Sequence, residues 1–131
     1  MTTTAAFDHH ALHVRDLPTS AAFYEKVLGL KRIPDPFKDD RHVWFDIGHG
    51  IELHVIGGAT SVGPQDIKVH MAFSVDSVDA FVGHLDACDV GYVNSRAVER
   101  QVTTRRDGVK QVYIQDPDGY WIEVNDAARS R

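Results

Sequence analysis

Cysteine is nearly absent from this chain: Cys88 stands alone among 131 residues. A single thiol excludes an internal disulfide and fits a reducing compartment. Long apolar runs are missing too. Nothing approaches the roughly 18 consecutive residues that a membrane-spanning helix needs, so no membrane is expected as a partner. Positive charge is in short supply, with 14 Lys and Arg against 19 Asp and Glu and a formal net charge of −5. That balance gives no reason to expect nucleic acid. The opening MTTTAA carries neither a basic region nor an apolar core, so it does not read as a signal peptide, and a cytoplasmic setting is expected. MTTTAA and the closing AARSR read as short loose tails. The rest is 43% hydrophobic and 25% charged over the whole chain, the composition of one globular domain spanning residues 1–131.

Helix and strand signals alternate in a fixed order. Residues 7–14, FDHHALHV, read as a strand entering a helix that Asp16 can cap, Pro18 suits at its first turn, and Gly29 stops. Leu17, Ala21, Tyr24 and Leu28 recur at helical spacing within it. Three short strands follow, at Leu30–Ile33, His42–Ile47 and Gly50–Ile56. After a Gly-rich connection the order begins again. Lys68–Val75 reads as a strand, and Asp76 or Ser77 can cap a helix through Cys88 with a Val78, Phe81, Val82, Leu85 stripe. Strand-like runs follow at Gly91–Asn94, Val109–Gln115 and Tyr120–Asn125, with a polar, basic and mobile loop expected over 96–108. The chain therefore reads as α+β, with two βαβββ modules in tandem at about 7–56 and 68–126 and a linker at about 57–67.

The halves match in wording as well as in order. HHALHV at 9–14 pairs with HMAFSV at 70–75, and IELHV at 51–55 with IEVND at 122–126. Successive strand side chains point to opposite faces. Leu12 and Val14, Leu53 and Val55, Val69, Met71 and Phe73, and Ile122 and Val124 take the core face. His9, Glu52, His70 and Glu123 then project from the other face, at positions the repeat makes equivalent. Two imidazoles and two carboxylates suit a divalent first-row metal with room left for water or substrate. A structural zinc site more often uses cysteines and a closed tetrahedron. Alone, each of these histidines is better explained as a hydrogen-bonded structural residue and each glutamate as a solvated one; the fourfold repetition favours the metal. His10 is turned away from this face. His13 shares it, about 6.6 Å along the strand from His9 at 3.3 Å per residue, better placed for substrate than for the same ion.

DHHALHVRDLPTSAAFYEKVLGL, GIELHV, VHMAFSV and VYIQDPDGYWIEV together resemble the vicinal oxygen chelate superfamily, the glyoxalase, bleomycin resistance and dioxygenase group. The resemblance implies an open cup-shaped sheet around one divalent metal ion (Zn, Ni, Co, Mn or Fe). Its His/Glu/His/Glu order at His9, Glu52, His70 and Glu123 is closest to glyoxalase I. His13 and Ile56 depart from the Arg and Asn that hold glutathione's carboxylates in bacterial members, so the metal ligands carry over and the glutathione contacts do not.

A glyoxalase I-like lyase or isomerase would act through an enediolate on a small 2-oxo-aldehyde adduct. Glu123 or Glu52 would move the carbon-bound proton, with Glu123 expected as the principal base. His13, His54, Tyr113 and Trp121 are the expected substrate contacts; His54 could equally support Glu52 from behind or have no role. Arg96, Arg100, Arg105 and Arg106 read as a solvated loop or as a cover for an anionic substrate. His42, His49 and His84 carry no argument for function, and Cys88 reads as structural. Single-domain members of the superfamily commonly pair, so a homodimer sharing its sites is implied. Other chemistry on the same scaffold stays open: an epimerase, a fosfomycin-type thiol transferase or an extradiol dioxygenase. So does a non-catalytic bleomycin-resistance-type module that binds its ligand without metal.

Overall fold

The computed structural model describes residues 3–128. The outermost residues of both expected tails, 1–2 and 129–131, lie outside the described residues. The chain divides into two compact units, the first ending at Val62 and the second beginning at Gly63.

In the first unit Asp16 accepts a hydrogen bond from Thr19 N and starts helix α1, Leu17–Lys26, with Pro18 in its first turn. Gly29, at φ +67°, supplies the left-handed residue after the helix, and Leu30 N then returns to Tyr24 O. Around this helix run β1 (His9–His13), β2 (Lys31–Ile33), β3 (His42–Asp46) and β4 (Glu52–Ile56). Their sheet order is β1-β4-β3-β2, with β1 and β4 parallel and the other pairs antiparallel.

The second unit repeats the plan. Ser77, not Asp76, caps α2, Val78–Ala87, by accepting from Ala80 N at 3.1 Å. Strands β5 (His70–Ser74), β6 (Thr103–Thr104), β7 (Lys110–Gln115) and β8 (Trp121–Asn125) lie in the order β5-β8-β7-β6, with β5 and β8 parallel. The fold is α+β, two tandem βαβββ modules with open four-stranded sheets.

Each unit packs one face of its sheet against its helix. Leu12, Val14, Ala21, Tyr24, Phe45, Leu53 and Val55 are buried in the first. Val78, Phe81, Leu85, Val112, Ile114, Ile122 and Val124 are buried in the second. The alternation that assigned Leu12, Val14, Leu53, Val55, Ile122 and Val124 to the core therefore holds. Val69 does not follow it and is 71% exposed. It precedes β5, in a turn where Asp66 accepts Lys68 N on its side chain and Val69 N on its carbonyl, so strand phase does not yet apply.

Two further expectations change. Gly91–Asn94 is not a regular strand; Val93 alone makes isolated bridges, to Tyr113 and to Glu99. The Asn94 side chain captures the amides of Arg96 and Val98, which folds the chain back on itself before a ladder can grow. The expected irregular loop of 96–108 contains β6, tied down by Thr103 Oγ1, which accepts from Ser95 N and donates to Ser95 Oγ. Arg100 lies over the Tyr92 ring and pairs with Asp86, and Arg105 pairs with Asp107 two residues along the same loop.

Leu53 is fully buried. Leu53→Ala should therefore lower stability by about 2–5 kcal/mol, measured by denaturant unfolding with an unchanged m value.

Candidate functional site

Parallel pairing brings the first expected couple together. His9 and Glu52 are Cα partners across β1 and β4, one strand spacing apart on the same face. Asp8 Oδ2 lies 2.6 Å from His9 Nδ1. A carboxylate only accepts, so Nδ1 carries the proton and the Nε2 lone pair is left for another partner. His54, two residues beyond Glu52, is only 9% exposed although it sits on the outer face. Its Nε2–H donates to Glu52 Oε1 at 2.9 Å. Its ring stacks on His9, centroids 4.1 Å apart, and on Trp44, 3.6 Å apart at 8° between planes. Trp44 Nε1 is buried without a hydrogen-bond partner.

The second couple is set differently. His70 Nδ1 donates to Ile67 O at 2.8 Å, which in the neutral ring leaves Nε2 as an acceptor. That nitrogen lies 3.4 Å from Glu123 Oε1. Glu123 is 7% exposed and takes Tyr113 O–H at 2.9 Å on Oε1 and Asn125 Nδ2 at 2.6 Å on Oε2. Burial pushes its pKa up, yet the hydrogen bonds from Asn125, Tyr113 and Gln111, with nearby His70, outweigh that and hold it below the ordinary carboxylate value. Burial, and then the bond to Glu123, push Tyr113 up to about 12. Trp121 Nε1 donates to Gln65 O.

The two carboxylates are not at equivalent positions, contrary to the matched strings IELHV and IEVND. Glu52 is level with His9, whereas Glu123 is level with Ala72, two residues beyond His70. Val14 N bonds Ile56 O in one sheet and Val75 N bonds Asn125 O in the other, so backbone ladders set a register that the short strings could not reveal. The counterpart of Glu123 is His54, level with Ala11, and the counterpart of Glu52 is Trp121. A slip of two preserves the face, so all four expected ligands still project outward from their sheets.

Of the expected substrate contacts, Tyr113 and Trp121 line one cavity of about 480 Å³ in the second unit, together with Tyr92, Glu99 and Arg100. His13 lies elsewhere, on a cavity of about 760 Å³ in the first unit, beside Arg15, Arg41, His42 and Ile56. His54 is covered by its stacking partners. Sequence reading missed Trp44, Asp8, Gln111 and Asn125. The last two stand two residues from expected site residues, on strands of known phase, and were within reach. Trp44 needed the β3–β4 register. Asp35, Asp39 and His42 also bring ligand atoms within 4.8 Å of one another, but Asp39 is exposed and already holds Arg41 N and His42 Nδ1.

Residues 6–124 match the glyoxalase/bleomycin resistance protein/dioxygenase superfamily. The chain belongs to that superfamily. Among curated superfamily relatives, an uncharacterised Bacillus subtilis protein, YwbC, is 32% identical over 123 residues, covering 88% of this chain and 93% of its own. A lactoylglutathione lyase of Salmonella typhimurium is 30% identical over 128 residues, covering 91% and 90%. In three dimensions the oxidase ChaP-H2 superposes with a TM-score of 0.78 over 98% of both chains, at 22% identity, a likeness of fold.

The donor chemistry in this superfamily chain fits a divalent cation. In the second unit an imidazole lone pair and a carboxylate oxygen face each other at 3.4 Å, a span that two ligands bridge when each lies about 2.0–2.2 Å from one ion. Two acceptors opposed in this way repel until a proton or a cation sits between them.

The raised Tyr113 pKa has a definite sign. The native state keeps this proton more tightly than the ordinary value of 10.0, so the stability gained is complete below 10.0 and is lost as pH rises through about 12. Absorbance titration of the metal-free protein should show a late tyrosine phase that Tyr113→Phe removes. For the lowered Glu123 the sense is opposite, with stability lost as pH falls below the ordinary carboxylate range.

Proposed function

We propose that the chain is a metal-dependent enzyme of the vicinal oxygen chelate type, a glyoxalase I-like lyase or isomerase. Its substrate in this reading is a small 2-oxo-aldehyde adduct. The observation that carries the reading is the outward-facing His and Glu of each module, each imidazole with its Nδ1 proton already taken by an oxygen. His9, Glu52, His70 and Glu123 are the residues to hold one divalent ion: Zn, Ni, Co, Mn or Fe. When bound, such an ion supplies Lewis-acid stabilisation of negative charge on neighbouring substrate oxygens.

The proton falls to the chain's own carboxylates. Glu52 or Glu123 takes the proton from carbon and returns it to the neighbouring carbon, or the two share the task. Their settings divide the labour. Glu123 is fixed by Tyr113 and Asn125 and is a weakened base. The Glu52 side chain is 35% exposed and accepts a hydrogen bond from His54. Reorienting Glu52 breaks less, which favours it for the first transfer over Glu123, the base the sequence put first. Tyr113 and Trp121, which line the second unit's cavity, and His13, which lines a cavity of the first unit, are the substrate contacts in this reading.

The lactoylglutathione lyase relative supports a glutathione adduct. His13 and Ile56, in place of the Arg and Asn of bacterial glyoxalases, favour a second reading: the same metal centre working on another oxygenated substrate, by epimerase, thiol-transferase or dioxygenase chemistry. Either reading takes the protein as a cytoplasmic homodimer.

Purified protein reloaded with each of the five metals and given the methylglyoxal–glutathione adduct tests this directly. Isomerisation is expected with at least one metal, falling about 100-fold or more in Glu123→Ala or His70→Ala. Bound metal without isomerisation selects the second reading. No restorable metal in the parent protein contradicts both.

A further inference from the structure

We infer that His54, braced by Trp44, is a positioning residue that sets both His9 and Glu52 for the metal. The inference rests on the four-ligand reading above and concerns the first unit alone. His54 touches each of the two ligands there by a different force. It donates Nε2–H to Glu52 Oε1 at 2.9 Å and stacks its ring on His9 with centroids 4.1 Å apart at 18°. Those contacts orient the ligands only if His54 is itself fixed, and Trp44 fixes it. The two rings lie 3.6 Å apart and nearly parallel at 8°. Trp44 and His54 are direct Cα partners across β3 and β4, so the brace is built on two paired strands and not on a loop. On the other side the Cα partner of His54 is Ala11, whose methyl group leaves the ring room to lie over His9.

Burial supports the same role. An imidazole on the outer face of a sheet is ordinarily solvated, yet His54 is 9% exposed. Trp44 stacks on His54 with its indole N–H buried and without a hydrogen-bond partner. The second unit meets the same need by other means. Tyr113 is the Cα partner of Glu123, as Trp44 is of His54, and holds the carboxylate directly through its hydroxyl. In the first unit the place of that carboxylate is taken by His54, and an indole–imidazole pair takes over the bracing.

Cobalt(II) titration of the full chain tests this, reading both affinity and the visible ligand-field spectrum. His54→Ala and Trp44→Leu should each weaken Co(II) binding by roughly 10- to 100-fold and alter the spectrum, while Trp44→Phe, which restores a stacking ring, should return close to the parent. Should Trp44→Leu fail to fold, His54→Gln carries the test. It keeps an N–H donor but loses the stack, and should bind more weakly than the parent. Parent-like affinity and spectrum in His54→Ala and His54→Gln, with binding abolished in His9→Ala, would overturn the positioning role and leave the metal centre standing. A parent that binds no Co(II), or a His9→Ala that binds as the parent does, would overturn the metal centre itself and this inference with it.

Discussion

Parallel pairing between the first and last strand of each module is the constraint on which the site depends. It places a histidine from β1 or β5 beside a carboxylate from β4 or β8, with no long loop required to aim either side chain. The buried partners beneath, Leu12 and Val14 against Leu53 and Val55, then Ile122 and Val124, fix which face each strand shows. A slip of one residue would turn every one of these side chains over and bury charge in the core. A slip of two costs no such inversion. The two modules differ by such a slip, which is how Glu52 and Glu123 both face outward without occupying equivalent places.

The modules consequently hold these side chains unequally. Each imidazole is oriented from behind, by the Asp8 carboxylate in one case and the Ile67 carbonyl in the other. A carboxylate behind the ring makes it a stronger donor than a neutral carbonyl does. The carboxylates invert this order. Glu123 is buried and held by Tyr113 and Asn125, while Glu52 rests on one imidazole. The second unit thus has the more firmly held carboxylate, and the first has the histidine backed by a carboxylate.

Much of this was legible in the residues because it rests on local rules. The caps at Asp16 and Ser77, the stop at Gly29 and the alternation in β1, β4 and β8 follow from spacing and side-chain chemistry over a few positions. The doubled βαβββ order followed from reading them twice. What escaped depends on partners far along the chain. The Trp44–His54 stack needs the register of β3 against β4. The two-residue β6 inside a stretch read as loop exists because β7 offers it an edge and Ser95 anchors it. Val69 looked like core by alternation but falls in the turn that Asp66 ties off just before the strand begins.

The central claim is that both ligand histidines are preset before any metal arrives, with Nδ1 protonated and Nε2 free. Nitrogen-15 NMR of the imidazoles in metal-free protein, at a pH above their titration, measures that directly. The account predicts the Nδ1–H tautomer for His9 and His70 and the opposite, Nε2–H tautomer for His54, with the His9 and His70 Nε2 signals moving when zinc is added. Nε2–H tautomers at His9 and His70, or zinc shifts confined to other histidines, would contradict it.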